Sequence, residues 1–486
     1  IALKKKVIKK KIKKIVIYSN NKKLFLNISS LIKGVKIESN YYRTKLYNKS
    51  SLLRNNFFYF IYFQINFFLK RFKIKKYTYD LKKNALLIFD YFAYFDQKEA
   101  LKGNFKSSFW KNLLPLIKKR RININFIHIT LDENIYSTNK KITILKKINN
   151  NKNISHNILD SQISFNIFFK ILFIFLRNYI TYIILKIRYR NHHIFKNMIL
   201  HKMFIDSFVG IWSIKNLYFF FMLDKFINTY CNESKIIIYI NEFQGWEKSM
   251  IYCLKHSNNL NPKIYGLQFN PVRDWDLRYK SQITKNNKNL FPDNIIGFYN
   301  STKNQFDKSS LLLKKINILI TKNLRPLNLN FKNIMSNNIL LVGDHDNKST
   351  LNLLNMINRF KSKNTSINFE YKPHPISKIS TSNFKNLSDV KVHLNDDCFK
   401  KKYSAYIVSN KTTLGLELLN KSLKTGVLLD KESLNLSPIN KDYKFFISNQ
   451  SELKNFINYK KQYKIKKRTL KKITWLKITS LWKKEL

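Results

Sequence analysis

The sequence predicts an α/β fold with two Rossmann-like, doubly wound domains that face a central cleft. Short β-branched or apolar segments alternate with longer segments of helical periodicity, which is typical of parallel sheets covered by helices. The same alternation starts again near residue 337 with shorter spacing. Polar residues also cluster directly after several predicted strands, where open α/β sheets bind ligands.

Six segments of the first half are predicted strands, at residues 14–18, 85–89, 122–129, 235–240, 263–267 and 294–297. Residues 107–119 are predicted to form a helix between two of them, with Ser107 and Ser108 as possible caps. We therefore expect a first α/β domain at residues 1–330, with a helical insertion near residues 160–230.

The second half repeats the pattern, and we expect a second α/β domain at residues 331–462. Its predicted strands are residues 339–342, 367–371, 390–393, 405–408 and 425–429, and its predicted helices are residues 349–361 and 412–419. Residues 311–332 contain Arg325, Pro326 and several Asn, which indicates an interdomain connection. Trp475, Leu476, Ile478, Leu481 and Trp482 recur at helical spacing, so residues 463–486 should form a helix that packs back on the body.

Composition indicates a folded protein of unusual charge. The 486 residues include 90 Lys and Arg against 29 Asp and Glu, a formal net charge of +61, yet 44% are hydrophobic and 15% aromatic. That much apolar surface excludes wholesale disorder. Lys, Asn, Ile, Phe and Tyr have A/T-rich codons, so codon bias is one explanation of the charge. A basic surface would also attract anionic membranes or nucleic acid, but no motif indicates specific nucleic-acid recognition.

Two apolar segments raise the question of a membrane. Residues 165–187 are the most apolar stretch, but Lys170, Arg177 and Lys186 interrupt them. A buried or surface-lying amphipathic helix is therefore favoured over a membrane span, and peripheral contact with an anionic membrane is a hypothesis. Residues 56–72 are similar, with a core helix or strand pair as the alternative.

The cysteines and the N-terminal segment favour a cytoplasmic protein. Cys231, Cys253 and Cys398 are odd in number and widely separated, which indicates neither disulfides nor a thiolate metal site. The basic N-terminal segment is followed by an apolar run too short for the core of an export signal.

The strongest local signal is the run Tyr371-Lys372-Pro373-His374-Pro375, directly after a predicted strand. The two prolines fix the backbone on both sides of His374 and end the strand. A rigid imidazole beside the Lys372 ammonium suits a phosphate. The alternative is an ordinary proline-rich turn with a solvated histidine.

A second signal is the strand-to-helix turn at residues 408–417. A helix N-terminus binds anions through its unpaired N–H groups, so we predict that Ser409, Thr412 and Thr413 donate to a nucleotide phosphate. Glu417, one turn later, could accept from a ribose or sugar hydroxyl. Alternatively, the hydroxyls only cap the helix and Glu417 lies on its surface.

The first domain contributes candidates after two strands. Glu242 stands at a strand end and is our candidate general base. Trp246 and Glu247 are placed on the acceptor side, although Glu247 could simply face the helix dipole. Arg273 and Arg278 could bind an anionic donor or acceptor, or pair with neighbouring aspartates.

Two weaker patterns complete the candidates. The triplet Asp274-Trp275-Asp276 matches a metal-binding pattern that arises easily by chance, so no metal is predicted. Gly343, after the first strand of the second domain, would allow a ligand to approach the backbone closely.

These residues resemble a known family. Tandem α/β domains with KPHP at residues 372–375, a Ser/Thr turn at 409–413 and Glu417 behind it resemble GT-B glycosyltransferases of bacterial capsule and surface-polysaccharide synthesis. Asn241-Glu242 with Trp246-Glu247, the run at 275–279 and Leu436-Ser437-Pro438 resemble more specifically the surface carbohydrate biosynthesis proteins of bacteria. The resemblance covers residues 85–456.

The resemblance implies a sugar transferase that uses neither metal nor cofactor. A nucleotide-sugar donor would be held mainly by the second domain, with His374 on the phosphate and Ser409, Thr412 and Thr413 around it. The acceptor, a surface polysaccharide or lipid-linked glycan, would enter against the first domain, at the inner face of the plasma membrane. The high charge, the 9 glycines and the insertion at residues 165–187 depart from the family pattern.

The sequence leaves two other classes of function open. An epimerase or a glycerophosphotransferase could be built on the same two-domain scaffold. A noncatalytic basic protein that binds a membrane surface or nucleic acid would also explain the charge.

Overall fold

The computed structural model describes most of both predicted domains. The described residues are 14–18, 36–40, 49–74, 81–92, 95–107, 109–130, 138–149, 153–192, 198–231, 234–257, 261–273, 289–298, 316–324, 335–374, 377, 379–429, 435–439, 443–459 and 473–486.

The first domain contains a parallel sheet of seven strands. A separate two-stranded parallel sheet pairs β1 (Lys14–Tyr18) with β2 (Lys36–Asn40). The strands of the large sheet are β3 (Ala85–Tyr91), β4 (Asn123–Ile129), β5 (Ile154–Ile158), β6 (Ile236–Asn241), β7 (Lys263–Gln268), β8 (Asn294–Gly297) and β9 (Asn317–Ile320). They lie in the order β5-β4-β3-β6-β7-β8-β9, so the switch point of this sheet is between β3 and β6.

The second domain contains a parallel sheet of six strands. Its order β12-β11-β10-β13-β14-β15 is that of a Rossmann sheet, with the switch point between β10 and β13. The strands are β10 (Met335–Val342), β11 (Phe369–Lys372), β12 (Lys391–Val392), β13 (Lys402–Ser409), β14 (Thr425–Leu428) and β15 (Phe446–Ile447). Two parallel, doubly wound sheets confirm the fold class predicted from the sequence.

Twelve α-helices are described. In chain order they are α1 (Lys49–Ile74), α2 (Gln97–Leu101), α3 (Leu114–Lys119), α4 (Thr138–Ile148), α5 (Phe165–Arg188), α6 (Met198–Phe208), α7 (Ile211–Tyr230), α8 (Gly245–His256), α9 (Asn347–Lys361), α10 (Leu414–Asn420), α11 (Gln450–Asn458) and α12 (Trp475–Glu485). Helices α1, α5, α6 and α7 pack on one another beside the first sheet.

The central strands are continuous apolar runs because both of their faces are covered. All seven residues of β3 and all six of β6 are buried, the pattern expected of a parallel strand between two helical layers. The predicted strands in both halves are found, and their boundaries differ from the observed ones by at most four residues. The helices predicted at 349–361 and 412–419 correspond to α9 and α10.

The helix predicted at residues 107–119 is wrong in its first half. Ser107 forms an antiparallel bridge with Phe95, and its Oγ accepts hydrogen bonds from the N–H groups of Phe109 and Trp110. The Trp110 indole donates to the buried Asp90 carboxylate at 2.7 Å. These tertiary contacts hold the segment in turns, and the helix begins only at Leu114. Ser108 lies outside the described residues.

Part of the segment predicted as an interdomain connection, residues 311–332, belongs to the first sheet. Residues 317–320 form β9, which pairs with β8 at that edge of the sheet, while residues 311–315 and 325–332 lie outside the described part of the chain. Helix α12 then returns to the first domain. The Trp475 indole donates to the Lys322 carbonyl at 2.9 Å, and Ile478 and Trp482 are buried in the core that surrounds the seven-stranded sheet.

Candidate functional site

A cleft of about 270 Å³ opens where loops from both sheets meet. Its second-domain lining follows β10, β11 and β13, which surround the switch point of the six-stranded sheet. Its first-domain lining follows β7. This is where doubly wound sheets bind ligands, because the loops on either side of the switch point diverge. The described lining residues are Asn270, Arg273, Asp344, His345, His374, Lys411, Thr412 and Thr413.

Asp344 connects the loops on both sides of the switch point. Its side chain is fully buried, and its two carboxylate oxygens accept the N–H groups of Asp346 at 2.6 Å and Lys411 at 3.0 Å. The backbone N–H of Asp344 donates to Thr350 Oγ1 at 3.0 Å. A buried carboxylate is stable when backbone donors satisfy it. Asp344 therefore fixes the loop after β10 to the loop after β13.

Lys411 and Arg273 join the two domains at the cleft. The Lys411 ammonium forms a short ion pair with Asp346, which lowers the pKa of that carboxyl. The Lys411 carbonyl accepts a hydrogen bond from Arg273 Nη2 at 2.9 Å. One cation from each domain is thus held at the cleft wall, together with the Asp344 and Asp346 carboxylates that lie beside Lys411.

His374 faces the cleft beside His345, with ring centroids 6.0 Å apart. Burial, with a further contribution from the charge of His345, lowers the pKa of His374 below its usual 6.5. A neutral imidazole can then gain a proton when an anion binds next to it. His345 lies within 3.4 Å of the Asp344 carboxylate and is more than half exposed.

The hydroxyl-bearing turn after β13 is divided between the cleft and the core. Thr412 and Thr413 line the cleft, and Thr412 Oγ1 also accepts the N–H of Leu414 at 3.3 Å. Thr413 caps α10 without a side-chain hydrogen bond. Ser409 is buried, and its Oγ has no hydrogen-bond partner within the described part of the chain. The structure therefore brings the two threonines, and not Ser409, to the cleft.

Glu242 does not line the cleft and lies behind Asn270, which does. Its Oε1 accepts a hydrogen bond from Asn270 Nδ2 at 3.1 Å, and its Oε2 accepts one from Gln244 Nε2 at 2.6 Å. Asn270 itself lines the cleft. The Glu242 carboxylate is half-buried and hydrogen-bonded directly to a residue that lines the cleft.

Glu247 supports the turn that carries Glu242. It is buried in the first turn of α8, where it accepts the N–H groups of Glu242 at 2.9 Å and Phe243 at 2.9 Å. Burial outweighs these donors and raises the pKa of Glu247 to about 8. Phe243 has a φ of 57°, a conformation that costs a bulky residue about 1–2 kcal/mol. Glu247 thus stabilises a strained turn from within the domain.

No protein-family model and no curated protein matches the chain. Among solved structures, it is similar to UDP-GlcNAc 2-epimerase from Neisseria meningitidis bound to UDP-GlcNAc, with 11% identity and a TM-score of 0.37 over 71% of this chain and 81% of that one. It is also similar to MurG of Acinetobacter baumannii, with 7% identity and a TM-score of 0.37 over 77% of this chain and 82% of that one. TarM gives 9% identity and a TM-score of 0.40 over 77% of this chain and 91% of that one. These likenesses are distant, and the assignment of the cleft rests on its own geometry.

Several residues predicted for the site lie away from the cleft lining. The Lys372 ammonium is buried and contacts the Leu394 carbonyl at 3.2 Å and the Asp396 carboxylate at 3.4 Å. Glu417 accepts a hydrogen bond from Asn323 Nδ2 at 3.3 Å, across to the first domain. Both side chains therefore bond to other residues of the protein, and neither lines the cleft.

Two further predicted residues are packing residues in the structure. Trp246 is buried in the first-domain core, where its indole donates to the Tyr91 hydroxyl at 3.2 Å. A Cβ at Gly343 would lie 2.9 Å from the Tyr371 hydroxyl, so this glycine makes room for a neighbouring strand and not for a ligand. Arg278 and the triplet at 274–276 lie outside the described residues.

Sequence reasoning did not select Asn270, His345 or Lys411, nor Asp344 as a site residue. The available signal was their position, since each follows a strand of one of the two sheets directly. Within the described ranges, no group of three or more His, Cys, Asp or Glu side chains could hold a metal ion.

Proposed function

We propose that this protein is a glycosyltransferase that moves a sugar from a nucleotide-sugar donor to a surface polysaccharide or a lipid-linked glycan. The observation that supports this most directly is the cleft at the switch point of the second sheet. There Arg273 and Lys411, the latter paired with Asp346, supply positive charge, His374 can take up a proton, and Thr412 and Thr413 supply hydroxyl donors. A diphosphate between nucleoside and sugar is the ligand class that this combination suits.

The proposed chemistry is a displacement at the anomeric carbon. Glu242 takes the proton of an acceptor hydroxyl, and the hydroxyl oxygen forms a bond to the sugar. The bond between the sugar and the phosphate oxygen breaks, and the electron pair stays on the departing nucleotide. Arg273, Lys411 and His374 stabilise the charge that develops on that phosphate, which is electrostatic catalysis by preorganised groups. This role for Glu242 applies to a reaction that inverts the configuration.

The substrate test begins with binding. CMP, UDP, GDP and dTDP are added to wild type and His374→Ala at low and moderate salt, and the thermal midpoint is measured. A ligand at 100 times its Kd stabilises the folded state by about 2.7 kcal/mol. Selective stabilisation by one nucleotide that the substitution removes supports the proposal. Equal shifts for all nucleotides, quenched by salt and unaffected at His374, contradict it and favour a nonspecific basic surface.

The reaction test uses the sugar conjugates of the selected nucleotide. Without acceptor, a transferase returns the donor sugar unchanged, whereas an epimerase alters its stereochemistry, and NMR of the recovered donor distinguishes them. With a glycan or lipid-linked acceptor, Glu242→Gln should abolish transfer while nucleotide binding is retained. We propose a location at the cytoplasmic face of an anionic membrane, where a lipid-linked acceptor would be presented.

A further inference from the structure

The first domain carries an apolar surface that the cleft does not use. We call it the helical face, defined by the exposed apolar side chains of α1, α5 and α6 together with Trp212 at the start of α7. Its most exposed members are Phe58 at 61%, Tyr62 at 64%, Phe169 at 61%, Phe173 at 68%, Ile187 at 73% and Trp212 at 67%.

Helix α5 forms the longest part of this face. Phe165, Phe169, Phe173, Ile180 and Ile187 recur at helical spacing over 22 residues, which is about 33 Å at 1.5 Å per residue. The stripe continues on α1 with Phe58, Tyr62, Ile65, Leu69 and Phe72. Soluble monomers rarely expose apolar patches of this size without a partner.

The opposite side of each helix is packed, so the face is a built surface and not a loose segment. In α5, Ile167, Ile171, Phe175 and Tyr182 are buried. Phe175 stacks on Phe60 of α1 with ring centroids 3.8 Å apart. Among the described helices, α5 alone is long and apolar enough to cross a membrane. Because one of its sides belongs to the domain core, a position parallel to a bilayer surface fits better than a span.

The charges around the face have one dominant sign. Neither α1 nor α5 contains an acidic residue. Lys170, Arg177, Lys186 and Arg188 of α5 and the adjacent Arg190 are all exposed. The Lys215 ammonium lies 5.5 Å from the centre of the Trp212 ring, which places a cation beside an exposed indole. Apolar aromatic side chains with flanking cations match the interface of an anionic bilayer.

A recess between α1 and α5 adds to this match. It has a volume of about 280 Å³ and is lined by Phe60, Ile61, Gln64, Ile65, Phe68, Phe168 and Leu172. The amide oxygen of Gln64, its one polar lining side chain among the described residues, accepts a hydrogen bond from the Tyr218 hydroxyl. The Gln64 amide nitrogen is buried without a hydrogen-bond partner among the described residues, whereas the other lining side chains are apolar and offer a surface that the hydrocarbon chains of a lipid can contact.

We infer that the helical face docks on an anionic lipid bilayer, with its aromatic side chains in the interface and its cations at the headgroups. This goes beyond the sugar-transfer reaction and fixes which surface meets the membrane. Helix α7 packs on α8, which carries Glu247, so the docked helices are continuous with the element that positions Glu242. Docking would hold the acceptor side of the protein at the membrane.

The test is binding of the full chain to vesicles without any nucleotide, so its outcome is independent of the donor site. Vesicles of equal parts phosphatidylglycerol and phosphatidylcholine are compared with pure phosphatidylcholine by co-sedimentation. We expect binding to the anionic vesicles only, reduced in about 1 M NaCl, where the Debye length falls to about 3 Å. Equal binding to neutral vesicles overturns the proposal.

Paired substitutions distinguish vesicle binding through the helical face from nonspecific hydrophobic adsorption. Phe169→Ser with Phe173→Ser removes two exposed rings and should weaken partition about a hundredfold, or about tenfold for each ring. The matched control is Leu394→Ser with Leu476→Ser, exposed apolar residues outside the face, and it should bind like wild type. Equal loss in both pairs overturns the assignment.

A second pair of variants, each with three substitutions, tests the contribution of the charges to vesicle binding. Neutralising Lys186, Arg188 and Arg190 with Gln should lower the salt dependence of binding, whereas neutralising the exposed second-domain Lys385, Lys391 and Lys421 should not. Two further outcomes contradict the proposal. One is a solution dimer that the two Phe substitutions dissociate, which would make the face a protein interface. The other is protein that resists extraction at alkaline pH, which would make α5 a membrane span.

Discussion

Glu247 gives the sharpest stability prediction, because its carboxyl group is buried and its pKa is raised to about 8. We propose the substitution Glu247→Gln. The variant keeps an amide oxygen that can accept the N–H groups of Glu242 and Phe243, now held by the carboxylate at 2.9 Å each. It therefore resembles the protonated glutamic acid and cannot ionise.

The sign and size follow from proton linkage. Between pH 4.5 and about 8 the folded state keeps the proton while the unfolded state releases it, so the stability from this group is complete below pH 4.5 and falls as the pH rises towards 8. At 1.36 kcal/mol per pH unit, this interval corresponds to at most about 5 kcal/mol. We expect Glu247→Gln to match wild type near pH 5 and to exceed it by about 2–5 kcal/mol at pH 9.

The assay is thermal and urea unfolding of wild type and variant at each pH from 5 to 9, followed by far-UV circular dichroism. The difference between the two proteins isolates the residue, because other titrating groups are common to both. Glu99→Gln, on the surface of α2, is the matched control and should follow the wild-type profile. Parallel pH profiles for wild type and Glu247→Gln would show that Glu247 does not keep its proton in the folded state.

Three further predictions concern the cleft and the strand end beside it. Asp344→Ala leaves the N–H groups of Asp346 and Lys411 without their buried acceptor, which should cost about 1–3 kcal/mol for each group and weaken nucleotide binding; wild-type unfolding and binding curves would exclude the bridging role. Gly343→Ala places a Cβ 2.9 Å from the Tyr371 hydroxyl and should destabilise by about 1–3 kcal/mol. The double substitution with Tyr371→Phe should recover part of the loss, and no recovery in a double-mutant cycle would contradict this packing. Because the pKa of His374 is lowered in the free protein, anion binding should take up a proton and should tighten as the pH falls; a pH profile from calorimetry that is unchanged in His374→Gln would exclude this coupling.

The central strands of the sheets could be predicted from the sequence more accurately than edge strands such as β5, for physical reasons. Central strands such as β6 are uniform apolar runs, so their pattern is visible without tertiary information. Strand β5 was missed because Ser155, His156 and Asn157 are polar. In the structure they are buried, and Ser155 Oγ donates to Asn125 at 2.7 Å while the His156 ring lies 3.1 Å from His128. Such partners are on another strand and cannot be read from a local pattern.

The candidate site, too, could be predicted from the sequence only in part. The loops at the cleft were predicted because they follow strands, and His374, Thr412, Thr413 and Arg273 do line it. The choice of side chains within a loop was less successful. Lys372 contacts the segment at residues 394–396, and Ser409 is enclosed at the end of β13. Both outcomes depend on which side of the strand meets a neighbouring element, which spacing alone does not determine.

We propose that the cleft binds the diphosphate of a nucleotide donor. The most direct measurement is the calorimetric Kd of the nucleotide selected by thermal stabilisation, for wild type, Arg273→Gln and the control Lys421→Gln. Arg273 lines the cleft, whereas Lys421 lies beyond the far end of α10. We expect Arg273→Gln to weaken binding about tenfold or more, through loss of a charge-assisted hydrogen bond, while Lys421→Gln binds like wild type. Equal weakening in both variants, or none in Arg273→Gln, would contradict the proposal.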